Sequence, residues 1–231
     1  KDRIIIVYIE GVNMNIFIIE SSNPIDKTHD TTEIKGLISL GSMFRHYVTS
    51  FDVYSKPDFV KFIKYISSID ADKSTKTIKE SIVVHISCHG YSGGLAMGKD
   101  LIQWNELASI LADLADDKFS NKLLLSISSC GTSKQQFTAA FNRLDIKLRE
   151  KINPPTFVVY FDQETIKWDD ALISWGMFYH QLGKSKYKDL TKNNLMTIID
   201  LIRETKIGNL VYRRWDKKKH KYLRYPTDST E

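Results

Sequence analysis

The chain has 231 residues, 42% hydrophobic and 26% charged, which are ordinary proportions for a globular protein able to bury a substantial core. No apolar run approaches the ~20 residues of a membrane-spanning helix. Two cysteines, Cys88 and Cys130, are too few for a disulfide framework and fit a reducing, cytoplasmic setting.

Arg3 to Ile9 is an unbroken β-branched run and reads as a strand; it is too short for a secretory signal and lacks a small-residue cleavage site. Gly11-Val12-Asn13 breaks it, and Asn15 to Glu20 is a second strand, so residues 1–20 are expected to form a hairpin. Ser21 to Thr32 is polar, contains Pro24 and reads as a loop. Glu33 to Val48 carries Ile34, Leu37, Ile38, Leu40, Met43, Phe44 and Tyr47 at helical spacing, with Thr31 or Thr32 as cap. Phe51 to Tyr54 is a short strand. Lys56-Pro57-Asp58 opens a helix with Phe59, Phe62, Ile63 and Ile66 on one face, and a charged stretch follows to Glu80.

Ser81 to Cys88 is the first of three central strands, and its unalternated apolar character suits burial on both faces of a parallel sheet. His89 to Lys99 holds four glycines and must be a loop or hairpin. Trp104 to Leu114 is a helix, Lys122 to Ser128 the second central strand, and Gln135 to Arg149 a helix ended by Pro154-Pro155. Thr156 to Phe161 is the third central strand and closes on Asp162. Asp169 to Leu182 and Asn193 to Ile202 are helices, and Asn209 to Trp215 and Tyr222 to Tyr225 are short strands around a charged turn. Strand–helix alternation of this kind predicts an α/β fold: one domain over 1–231, with a mostly parallel sheet and helices on both faces.

The net charge of +5 is concentrated in the basic segment 206–231, where Tyr212 to Pro226 holds seven Lys or Arg against one Asp. Trp215, Tyr222 and Tyr225 interleave with those cations, a pattern that suits stacking on single-stranded nucleic acid. The same pattern suits a partner protein, or a solvated edge strand guarded by lysines.

The chemistry gathers at two strand ends. One central strand runs into Cys88-His89-Gly90 and the next into Ser129-Cys130-Gly131, 41 residues separating His89 from Cys130. In parallel neighbours both ends emerge at the edge where α/β sheets hold ligands. A thiol beside an imidazole makes a nucleophile and its base. The amides of Gly90, Cys130 and Gly131 are candidates for an oxyanion hole. His85, Cys88 and His89 also sit close in sequence, but no second ligand cluster completes a metal site, and nothing in the chain calls for a cofactor.

A strand ending in His-Gly, a helix, and a strand ending in Ser-Cys-Gly resemble the caspase-like clan of cysteine peptidases, whose histidine precedes the cysteine by about 50 residues. The stretches HGYSGGLAMGKDLIQWNELASIL and FVVYFDQETIKWDDALISWGMFYHQL look most like the bacterial CHAT branch. The resemblance covers about residues 1 to 205. It implies a caspase-like three-layer sandwich, with Cys130 as nucleophile and His89 as general base and acid in the hydrolysis of protein substrates. It also implies regulation by an activating partner or ligand, in bacterial defence or cell-death signalling. The caspase motif Gln-Ala-Cys-Arg-Gly is absent, so a preference for cleavage after Asp does not carry over. Asp162 and Ser128 are the candidates for lining the substrate pocket.

Three alternatives stand beside this reading. Gly90-Tyr91-Ser92-Gly93-Gly94 matches the G-x-S-x-G serine elbow, with Asp162 and His180 following in triad order, but no helix starts directly after Ser92. Gly93 to Asp100 matches a phosphate-binding loop up to its last position, where Asp100 replaces the required hydroxyl. The third is a CHAT-like domain kept only for binding, with the basic segment as its docking surface.

Overall fold

A computed structural model describes residues 13–29, 32–69, 81–112, 114, 123–131, 136–144, 154–184 and 190–225. In chain order the elements are β1 (Asn15–Ser21), α1 (Pro24–Thr28), α2 (Glu33–Met43), β2 (Tyr47–Asp52), α3 (Lys56–Ser68), β3 (Ile82–Cys88), β4 (Gly90–Tyr91), β5 (Gly94–Met97), β6 (Asp100–Gln103) and α4 (Trp104–Leu111). There follow β7 (Leu123–Ser128), α5 (Gln136–Arg143), β8 (Phe157–Phe161), α6 (Trp168–Leu182), α7 (Lys192–Glu204), β9 (Leu210–Asp216) and β10 (Lys221–Tyr225). Seven strands form one sheet in the order β10-β9-β8-β7-β3-β1-β2, and β4-β5-β6 form a small second sheet. The run from β2 to β8 is parallel, while β9 and β10 each lie antiparallel to the preceding strand.

Alternation along each strand divides the core in two. Ile82, Val84, Ile86, Leu125 and Ile127 pack with Phe59, Ile63, Leu107 and Phe141 from α3, α4 and α5. Val83, Leu124, Phe157 and Val159 pack with Leu37, Trp175, Phe178 and Ile198 from α2, α6 and α7. Helices therefore cover both faces of the sheet, as β-branched strands buried on both sides require. The second face is not wholly apolar. His85, Ser87, Ser126 and Ser128 are all buried there by strand parity, and they form a polar lane running toward the carboxyl ends of β3 and β7.

Several local expectations change. The helix predicted over 33–48 stops at Met43, because Arg45 turns left-handed (φ 65°) and the amides of Arg45 and His46 bond back to Ser42 and Gly41. That reversed turn satisfies the last carbonyls of the helix and is usually made by glycine. The strand expected at Phe51 to Tyr54 starts earlier, at Tyr47. Both edges of β1 are taken by the parallel strands β2 and β3, and residues 3–9, the other half of the expected hairpin, lie outside the described residues. The glycine-rich stretch is a β-hairpin. Asp100 there accepts the Lys56 amide at 2.9 Å and no helix follows Lys99, so no phosphate loop forms. The far end of the helix predicted to Arg149 also lies outside the described residues.

The basic segment joins the main sheet through β9 and β10. Tyr222 is buried against Phe141 and Trp215, and Tyr225 stacks on Tyr212 at 5.1 Å, so these aromatics pack against the fold. Among the described residues no helix is long and apolar enough to cross a membrane.

Candidate active site

The register of the two central strands brings the predicted pair together. Ser87 lies opposite Ser128, so two residues further on His89 and Cys130 leave their strands level with one another. They line one cavity of about 290 Å³. Its far wall comes from the loop after β8 and the start of α6, through Thr165, Ile166, Trp168 and Ala171. The Cys130 thiol is half-buried, 3.9 Å from the Ile166 carbonyl.

Two glycines make this approach feasible. A Cβ on Gly90 would lie 1.9 Å from the Cys130 carbonyl oxygen, so the two strand ends touch backbone to backbone only because residue 90 lacks a side chain. Gly131 turns the chain away at φ 73°, a conformation glycine adopts without strain. The Gly131 amide donates to the Glu164 carbonyl at 3.1 Å. The Gly131 amide is therefore engaged within the fold, which corrects its place among the expected oxyanion donors.

The partner of His89 comes from a segment read as a polar loop. Asn23-Pro24-Ile25-Asp26 is a capping box at the start of α1: Asn23 accepts the amides of Ile25 and Asp26, and Asp26 accepts the Asn23 amide. The box fixes Asp26 with Oδ2 2.6 Å from His89 Nε2. Asn23 Nδ2 lies 3.2 Å from the same nitrogen. The shorter contact, made to a carboxylate, places the proton on Nε2 and leaves Nδ1 as the ring's free base. The Trp168 ring meets the imidazole edge-on at 5.7 Å and limits its rotation.

Glu33, the first residue of α2, was not foreseen from the sequence either. It is fully buried yet lines the cavity. Ser128 Oγ donates to Glu33 Oε1 at 2.5 Å, and His85 Nε2 lies 2.9 Å from Oε2. His85 Nδ1 meets the Tyr179 hydroxyl at 2.8 Å. Glu20, on β1, holds the amide of Ile34 beside Glu33, and burial pushes its carboxyl up to about 7. A capping box at Asn23 and a glutamate opening an amphipathic helix were the visible signals, but nothing local said that either side chain would reach Cys130.

The remaining candidates fall elsewhere. Ser128 is in the cavity wall, as expected. Asp162 is not: it ends β8, one strand beyond β7, and its carboxylate is taken by Arg224 at 2.5 Å. Ser92, Asp162 and His180 are not brought together. Ser92 is exposed in the turn between β4 and β5, and His180 stacks on Phe44 at 4.8 Å. Cys88 is 1% exposed, and burial drives its thiol well above the usual range, so it is inert packing beside the histidine. Among the described residues no three His, Cys, Asp or Glu side chains gather as metal ligands.

Solved structures that match over most of the chain include those of drICE and pro-sf-caspase-1. The crystal structure of drICE matches with a TM-score of 0.51 and 16% identity, covering 86% of each chain. The structure of pro-sf-caspase-1 matches with a TM-score of 0.52 and 13% identity, covering 84% of this chain and 80% of the other. The fold is caspase-like. No protein-family model matches the sequence, and no curated protein matches it.

Proposed function

We propose that the chain is a cysteine peptidase in which Cys130 attacks, His89 moves the proton and Asp26 holds His89 in place. The observation that carries this reading is the shared cavity: the register of β3 and β7 delivers a thiol and an imidazole to one wall, with the imidazole already anchored on its far nitrogen. Nδ1 of His89 takes the thiol proton, and the thiolate adds to the scissile carbonyl. The amides of Gly90 and Cys130 hold the oxyanion that forms. His89 then returns the proton to the leaving amine, and Asp26 stabilises the imidazolium between these two steps. A water, deprotonated by His89, hydrolyses the thioester and frees Cys130.

The stretches HGYSGGLAMGKDLIQWNELASIL and FVVYFDQETIKWDDALISWGMFYHQL support the CHAT branch of the clan. With it comes a regulated effector role in bacterial defence or cell-death signalling, switched on by a partner or ligand.

A proteome-derived peptide library incubated with the wild type and with Cys130→Ala tests the reading. Cleavage by the wild type and by Cys88→Ala, and none by Cys130→Ala, is the expected result. Equal cleavage by wild type and Cys130→Ala would remove Cys130 from the chemistry.

A further inference from the structure

Beside Cys130 the cavity contains one acid that the peptide-bond chemistry does not use. Glu33 is held from behind by a directional set of donors. The Tyr179 hydroxyl meets His85 Nδ1, and His85 Nε2 and Ser128 Oγ each meet one oxygen of Glu33. Among the described residues no Lys or Arg pairs with Glu33, and none lines the cavity. A second carboxyl, Glu20, sits close enough to feel the charge of Glu33. The cavity thus presents a fixed carboxyl, with no Lys or Arg in its lining, at its inner end. Trp168 adds an aromatic wall, a favourable surface for a cation.

Resting on the peptidase reading above, we propose that this cavity receives the side chain of the residue whose carbonyl Cys130 attacks, and that Glu33 selects Lys or Arg there. A long side chain lets the cation reach Glu33 while its carbonyl stays at the mouth beside Cys130 and the Gly90 amide. Its ammonium or guanidinium supplies a permanent cation that the lining of the cavity lacks. An Asp or Glu side chain in the same place would meet the Glu33 carboxylate with no cation between them. This selectivity is opposite in sign to cleavage after Asp, and it resides in α2, not in the strand ends that carry the catalytic pair.

The test uses the full chain and a set of thiol-reactive peptidyl probes that differ only in the residue next to the reactive group: Lys, Arg, Leu, Phe or Asp. The rate of covalent labelling of Cys130 is followed by intact mass. Lys and Arg probes are expected to label at least about 100-fold faster than the Asp probe, since like charges placed together are strongly disfavoured in a desolvated site. Glu33→Gln, which keeps the shape, is expected to bring Lys and Leu within about threefold of each other. The wild-type ranking decides the matter even where Glu33→Gln does not fold. Faster labelling by Leu, Phe or Asp than by Lys and Arg overturns the selectivity and leaves the peptidase intact. Labelling by none of the five, with iodoacetamide still alkylating Cys130, overturns both.

Discussion

Replacing Asp26 by Asn removes one charge and almost no volume. Asn can still accept the His89 Nε2–H and the Asn23 amide, so the capping box and the ring position survive. What is lost is the attraction that Asp26 exerts on the imidazolium formed when His89 takes the thiol proton. Two unit charges about 4 Å apart attract by roughly 1 kcal/mol in water and roughly 4 kcal/mol near a protein surface of effective dielectric 20. The side chains are 47% exposed for His89 and 14% for Asp26, which places the pair nearer the watery limit. A value of about 2 kcal/mol converts to a fall of roughly 30-fold in the rate of the chemical step. The effect on stability is smaller, about 1 kcal/mol or less, because half-exposed ion pairs contribute little to folding. The assay is single-turnover labelling of Cys130 by the best peptidyl probe, with thermal unfolding measured in parallel. The fall should appear in the limiting labelling rate with the half-saturating probe concentration little changed, and Asp26→Glu should recover part of it. Salt at 1 M, which shortens the screening length to about 3 Å, should slow the wild type more than Asp26→Asn. A variant within twofold of wild type in labelling rate would show that Asp26 is a bystander and that His89 needs no charged anchor.

Two further outcomes follow from the same structure. Gly90→Ala forces a methyl to within 1.9 Å of the Cys130 carbonyl oxygen, so the strand ends must separate; activity should fall by about 100-fold or more even where the protein stays folded by circular dichroism, and retention of full activity would refute the close approach. Glu20 faces Glu33 and Asp52, and burial lifts its carboxyl from 4.5 to about 7. Below about pH 4.5 folded and unfolded chains both hold that proton; between there and about 7 only the folded chain does, so this residue's contribution falls as the pH rises, by roughly 3 kcal/mol in total. In urea unfolding at pH 5 and pH 8, Glu20→Gln should flatten that decline; an unchanged slope would place the titration elsewhere.

The three central strands, the helices between them and the two reactive strand ends can be read from local pattern. A run such as Ile82-Val83-Val84 states its own secondary structure, and His89-Gly90 and Cys130-Gly131 state where the strands stop. Even the local reading has gaps where the signal is weak. Arg45 ends α2 in a turn that glycine would have announced, and the five-residue α1 is too short to show a helical period.

The working site is another matter. The sequence determined that a thiol and an imidazole would end two strands; only the tertiary structure decided that those strands are neighbours, in a register that sets Ser87 against Ser128. It also decided that β1 lies between β2 and β3, which brings α1 and α2 to the same sheet edge and sets Asp26 on His89 and Glu33 beneath Cys130. Asp162 shows the converse: it ends a strand as predicted, yet sits one strand too far and is held by Arg224. The physical reason is range. Propensity, capping and periodicity act over a few residues, whereas strand order and register come from burying both faces of the whole sheet at once. The contacts between Asp26 and His89 and between Glu33 and Ser128 are by-products of that burial.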